Sequence, residues 1–179
     1  MIRLPRKPLV AALLCLSASP LVAQEPDWTA LDAETLEHFQ AMVRIDTADP
    51  PGREIELTNY ITGVLDAEGI EYEVHSLEAE RPNIVARLRG NGSKRPLLLM
   101  AHQDTVNVDA SKWTFPPHSA ARDSGWIYGR GTLDDKDNLV ASLMTLILLK
   151  RQGVALDRDV ILLPNPAKRA PPRSVSSSS

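Results

Sequence analysis

The chain has 179 residues, 43% of them hydrophobic, 24% charged and 4% aromatic, with a formal net charge of −3. One ordinary domain is the ceiling at that length. The hydrophobic share excludes a wholly disordered chain, and the lack of any apolar run of about 18 residues excludes a multi-span membrane protein. There is no basic excess to serve nucleic acid.

Charge is spread unevenly. Arg3, Arg6 and Lys7 are the only charged residues before Glu25, and without them 17 basic residues face 23 acidic ones, a net of −6. The basic start, the apolar stretch from Leu9 to Leu16 and the small residues leading to Leu21-Val22-Ala23 read as a secretory signal peptide over residues 1–23. A periplasmic or secreted product without a stable membrane span after cleavage is predicted. Cys15, the single cysteine, lies inside that stretch. The mature chain then has neither a disulfide framework nor a thiolate metal cage, so a bound metal must be held by His, Asp and Glu.

After the signal, Leu31, Leu36, Phe39, Met42 and Val43 recur at helical spacing and predict an amphipathic helix over 31–44, ended by Asp49-Pro50-Pro51-Gly52. A second helix is predicted over 54–68, with Leu57, Ile61, Val64 and Leu65 on one face and Gly69 at its C-terminal cap. Tyr72 and Val74 alternate with acids as in a half-buried strand. Residues 83–88 and 97–101 form two short apolar strands, with Asn91-Gly92 between them as a hairpin-type turn. Asp123-Ser124-Gly125 predicts a turn into a strand at Trp126-Ile127-Tyr128. A long helix over 138–152 is apolar on nearly every side and must be buried, and 159–163 reads as a further buried strand. Helices alternating with strands make an α/β chain. From Pro164 to Ser179 the sequence is rich in Pro, Ala, Arg and Ser and lacks acids. A disordered tail is predicted, such as a reading-frame change in a GC-rich gene would produce.

Two constellations carry chemistry. The strand Leu97-Leu98-Leu99-Met100-Ala101 runs into His102-Gln103-Asp104, where the period of two puts His102 and Asp104 on one face and Gln103 on the other. At the carboxyl end of a strand, a neutral imidazole can ligate a metal while a carboxylate orients its other nitrogen. By itself His-x-Asp suits a turn role for Asp104 and a partly buried His102 better than a metal site. The second constellation, Gly129-Arg130-Gly131-Thr132-Leu133-Asp134-Asp135-Lys136-Asp137, brings three carboxylates to the start of the buried helix, more than a helix cap by Asp135 or Asp137 requires.

Together, His102-Gln103-Asp104-Thr105-Val106, Trp113-Thr114 with Pro116-Pro117, Trp126-Ile127-Tyr128-Gly129-Arg130-Gly131 and Asp134-Asp135-Lys136 resemble the di-zinc family of glutamate carboxypeptidases, aminoacylases, acetylornithine deacetylases and succinyl-diaminopimelate desuccinylases. The resemblance covers residues 36–163; Phe115 and His118 stand exchanged relative to the family pattern, and His118 is expected to be a surface loop residue. It implies the N-terminal part of a three-layer α/β/α zinc-exopeptidase-like catalytic domain over 29–163, truncated and without the lid and dimerisation domain. It further implies that His102 and Asp134 are metal ligands, Asp134 bridging two zinc ions, that Asp104 orients His102 in the catalytic site, and that Asp135 and Lys136 support them. Cobalt or manganese suit the same ligands. The implied reaction is hydrolysis of a peptide or N-acyl amino acid.

The family's general base belongs to a Glu-Glu pair beyond the last predicted strand, where this chain has Pro164-Asn165-Pro166 and no later acid. The matched residues give neither ion the three protein ligands usual for catalytic zinc, and His38, His75 and His118 lie on a helix, a strand and a loop outside the motifs. Weak zinc binding, negligible hydrolysis and an exposed apolar sheet are therefore predicted. A zinc aminopeptidase-type enzyme and a non-catalytic fragment are the competing readings. No G-x-S-x-G elbow or phosphate-binding loop is present.

Overall fold

The computed structural model describes residues 25–166. The predicted signal peptide over residues 1–23 and residues 167–179 of the predicted tail lie outside the described residues.

Helix α1, Trp28–Arg44, starts three residues before the predicted helix because Asp27 caps it, accepting from the Ala30 N–H at 3.1 Å. Strand β1, Ala48–Asp49, is followed by helix α2, Glu54–Ala67, which buries Leu57, Ile61 and Leu65. Gly69 takes φ +60° just past its end, a left-handed conformation that only glycine adopts at little cost. Then come β2, Glu71–His75, β3, Asn83–Leu88, β4, Leu97–His102, and β5, Thr105–Val106. The predicted turn at Asp123-Ser124-Gly125 leads into the predicted strand, β7, Trp126–Tyr128, which pairs with a strand not expected from sequence, β6, Ala121–Asp123. Helix α3, Lys136–Arg151, leads to β8, Val160–Asn165.

The main sheet has the order β2-β3-β8-β4, with β8 antiparallel to β3 and parallel to β4. This corrects the hairpin expected at Asn91-Gly92. The turn chemistry reverses the chain, but β8, apolar on both faces, enters between β3 and β4. The intervening loop instead hydrogen-bonds to the segment before β8, through Asn91 N–H to Leu156 O and Lys94 N–H to Asp157 O. Gly90 packs against the Arg158 backbone, leaving no room for a Cβ.

Three further expectations change. Val74 is 45% exposed rather than half-buried, because β2 is an edge strand. Pro164 and Asn165 belong to β8, not to a structureless tail. A proline is tolerated there because Asn165 turns its carbonyl to β4, accepting from Gln103 N–H at 2.8 Å. Alternation then points the Pro164 nitrogen to the β3 side, beyond the last registered pair Ala86–Leu162, where no donor is needed. Finally, His118 is half-buried, its Nε2 3.4 Å from Asp46 Oδ1.

All three helices pack on one face of the sheet. Met42 of α1, Leu57 and Ile61 of α2, and Leu139, Leu143 and Ile147 of α3 meet Ile84, Ala86 and Leu162 in a single core. Arg151 joins the helical layer at one end, forking onto Glu34 at 2.7 Å and Glu68 at 2.6 Å. The described residues thus supply two layers of an α/β/α sandwich. On the other face Leu98 pairs with Ile161 and Met100 with Leu163, and Leu98 and Met100 are 51% and 62% exposed.

Candidate metal centre

The site lies at the carboxyl end of β4. His102 is the last residue of that strand, and alternation sends its ring and the Asp104 carboxylate to the same side. Gln103, facing the other way, is buried. Its Oε1 accepts from Thr58 Oγ1 at 3.0 Å, its Nε2 donates to Pro82 O at 3.0 Å, and its backbone carbonyl accepts from Thr47 Oγ1 at 2.7 Å. The strand end is therefore clamped from behind by α2 and the Thr47 segment. The parallel pair β1–β5 anchors the chain just past Asp104, and Arg81 ties β1 to α2 by bonding both Asp49 and Glu54 at 3.1 Å. Burial pushes the Glu54 carboxyl above its ordinary range, against the pull of Arg81.

His102 Nδ1 lies 2.8 Å from Asp104 Oδ1 and 3.0 Å from Asp104 O, and His102 Nε2 lies 2.9 Å from Asp134 Oδ1. Both neighbours of Nδ1 are acceptors, so Nδ1 carries the proton. In a neutral ring, Nε2 then presents a lone pair to the Asp134 carboxylate. Two acceptors at 2.9 Å repel unless a cation lies between them, either a proton on Nε2 or a metal ion. The donor set, one imidazole with its tautomer fixed by a carboxylate plus a facing carboxylate that is 65% exposed, fits zinc as part of a coordination shell. Among the described residues no group of three or more His, Cys, Asp or Glu side chains is gathered to hold an ion.

The approach of Asp134 depends on the turn before α3. Gly131 takes φ +85°, and a Cβ there would press on Thr105 and Lys136. Asp135 occupies the N-cap position of α3 without a side-chain capping bond. Of the two roles open to Asp135 from sequence, helix cap or support for the site, the cap is not the one taken. Its Oδ2 accepts instead from the His102 N–H at 3.2 Å and its Oδ1 from Asn138 Nδ2 at 2.5 Å, so it joins the helix start to the end of β4.

Lys136 points away from the site. It is fully buried, with Nζ donating to Met42 O at 2.9 Å and Ile45 O at 2.7 Å, and burial pushes its pKa down to about 8, the Asp46 carboxylate opposing. Its support is indirect, through the end of α1. His38 and His75 stay outside the site, bonded to Tyr60 Oη at 2.7 Å and Glu73 Oε2 at 2.9 Å.

His102, Asp104 and Asp134 line a cavity of about 610 Å³ with Thr105, Trp113 and Arg130. No role for Thr105, Trp113 or Arg130 was assigned from sequence, although all three fall in the quoted motifs. Phe115 and Tyr128 stack beside the cavity with ring centroids 4.7 Å apart.

The site is thus a strand-end imidazole aligned by one carboxylate and faced by another, at the edge of a helix-backed mixed sheet in an α/β fold, a donor set that suits a metal ion. The family model for peptidase family M20/M25/M40 matches residues 98–167, which contain every one of these groups. Over that segment the chain resembles members of that family. It is 36% identical over 127 residues to a probable succinyl-diaminopimelate desuccinylase of Staphylococcus aureus, covering 70% of this chain and 30% of that protein. The structure superimposes on an M20 family metallo-carboxypeptidase from Sulfolobus solfataricus with a TM-score of 0.67 and 26% identity, covering 74% of this chain and 30% of that one. A dinuclear metal binding M20 peptidase from Bacillus subtilis shares the fold, with a TM-score of 0.55 at 18% identity over 78% of this chain and 36% of that one. The chain thus spans about 30% of the length of the curated relatives it matches.

Proposed function

We propose that this chain carries part of the metal-binding active site of a zinc-dependent hydrolase acting on a peptide or N-acyl amino acid amide bond. The observation that carries the reading is the His102 ring held between Asp104 and Asp134, with Nδ1 protonated toward one and Nε2 turned to the other. His102 Nε2 and Asp134 would hold zinc, with cobalt or manganese as substitutes. When bound, such a metal polarises an amide carbonyl and lowers the pKa of a water. The chain's own residues do the rest. Asp104 keeps the imidazole in the ligating tautomer and Asp135 holds the His102 backbone, while the clamp on Gln103 prevents the strand end from turning. A neighbour of the same fold from Bacillus subtilis is a dinuclear metal binding peptidase, which favours a second ion here, and Asp134 would be the residue available to both.

Each ion would find fewer than three protein ligands among the described residues, and no carboxylate follows Asp159 to act as general base. The 179-residue chain by itself is therefore proposed to bind zinc weakly and to hydrolyse amides negligibly. From the sequence of residues 1–23 it is proposed to be exported; no helix of the described residues is long and apolar enough to cross a membrane.

Zinc titration by calorimetry tests the reading. The expected dissociation constant is on the order of 0.1 mM, weakened at least about tenfold by His102→Ala or Asp134→Ala. Equal zinc affinity in wild type and both variants would remove the basis of the proposal.

A further inference from the structure

The two edges of the main sheet differ in character. One edge is β2, where the exposed side chains of Glu71, Glu73 and His75 alternate with Tyr72 and Val74. Charges of this kind protect an edge against pairing with another chain. The other edge is β4, in which Leu97-Leu98-Leu99-Met100-Ala101 carries no charge at all.

Parallel pairing with β8 engages only alternate residues of β4. Leu97 N–H donates to Asp159 O and Gln103 N–H to Asn165 O, both at 2.8 Å, so the main-chain groups of Leu97, Leu99 and Ala101 face β8. Those of Leu98, Met100 and His102 point outward. The His102 N–H is already taken by Asp135 Oδ2 at 3.2 Å, and Pro96, just before the strand, has no N–H to offer. The open stretch is therefore Leu98 and Met100, each with a free N–H and C=O, and among the described residues no segment pairs with them. Both side chains are exposed on the face away from the helices.

This stretch is self-complementary. In an antiparallel pair of copies with a twofold axis at Leu99, Leu98 of each copy lies opposite Met100 of the other, and every open N–H meets an open C=O. The neighbours Leu98–Ile161 and Met100–Leu163 then continue across the joint as two apolar rows. Charge selects the same direction. The entry to β4 is basic, at Lys94-Arg95, and its exit is acidic, with Asp104, Asp134 and Asp135 gathered about His102. Antiparallel pairing sets the basic entry of each copy beside the acidic exit of the other, whereas parallel pairing sets like beside like. The combined sheet, four strands from each copy, ends in charged β2 on both sides, so association closes at two.

We propose that the open edge of β4 is the docking surface for a second copy of this chain, the two strands pairing antiparallel with Leu98 against Met100 in a closed dimer. The inference rests on the sheet alone and is independent of the hydrolase reading.

Sedimentation equilibrium of the full chain over about 1–200 µM, with amide hydrogen exchange at both ends of that range, tests it. A monomer–dimer equilibrium without larger species is expected, weakened by added salt. The Leu98 and Met100 amides should exchange at least about tenfold more slowly in the concentrated sample. Met100→Lys, at an exposed position, should weaken the dimer at least about tenfold with an unchanged circular dichroism spectrum. Val74→Lys, on the opposite edge, should leave the dimer as it is. A monomer throughout, an open-ended series of oligomers, or a dimer whose Leu98 and Met100 amides exchange as in the dilute sample would each overturn the proposal. So would a Met100→Lys protein that dimerises like wild type. The wild-type measurements decide the matter even if that variant fails to fold.

Discussion

A buried lysine gives the sharpest quantitative test. Lys136 has no solvent exposure, and among the described residues its ammonium donates to the carbonyls of Met42 and Ile45 at the end of α1. Burial lowers its pKa from 10.5 to about 8. In the unfolded chain Lys136 stays protonated up to about pH 10.4, so between the two values the unfolded state binds more protons and stability must rise with pH. The penalty for burying the charge, about 3 kcal/mol, applies in full below pH 8. Raising the pH from 7 to 9.5 should recover about 2 kcal/mol of it, since the unfolded-state lysine is still largely charged there. Replacement by methionine keeps the stem and removes the charge. Urea unfolding followed by far-UV circular dichroism at pH 7 and 9.5, for wild type and Lys136→Met, isolates this group because every other titration is common to both. The wild type should gain about 2 kcal/mol relative to the variant over that interval. At pH 7 the variant should lie close to wild type, because relief of the buried charge offsets the roughly 1–3 kcal/mol lost when Ile45 O is left without a donor. Parallel pH profiles for the two proteins would refute the argument that Lys136 is buried as a strained charge.

Other outcomes follow from single contacts. Asp104→Ala removes the carboxylate on His102 Nδ1 and should weaken zinc binding by about 10- to 100-fold with only a small change in melting temperature; an unchanged zinc affinity would count against the orienting role. Gln103→Leu strands Thr58 Oγ1 and Pro82 O in the interior and should cost about 2–4 kcal/mol in urea unfolding. Gly63→Ala, on the open face of α2 with nothing near the added methyl, should stabilise the chain by about 0.5–1 kcal/mol. Gly90→Ala, whose methyl would meet the Arg158 backbone, should destabilise it by more than about 2 kcal/mol, so a thermal melt should separate the two glycine variants in opposite directions.

The sequence by itself determined the main helices and strands and which side chains share a face at the end of β4. Helical period, caps and breakers located α1, α2 and α3 to within a few residues, because those signals act over one or two turns of chain. Strand alternation put His102 and Asp104 on one side and Gln103 on the other. That His102 and Asp134 meet, 32 residues apart in sequence and 2.9 Å apart in space, followed from family resemblance; neither local pattern alone required it.

Tertiary structure alone decided what depends on distant partners. The order of the sheet was hidden because Asn91-Gly92 encodes a reversal but not which strand fills the gap it leaves. Which of its possible roles Asp135 takes was decided by the His102 N–H at the end of β4, and the indirect way in which Lys136 supports the site by two carbonyls at the end of α1. Arg130 could be read as a motif residue in the sequence, but its place over the Trp113 ring shows only once the chain around it has folded. Backbone propensities are short-range, whereas satisfaction of buried polar groups depends on segments brought together by packing, and most of this site's character lies in the second.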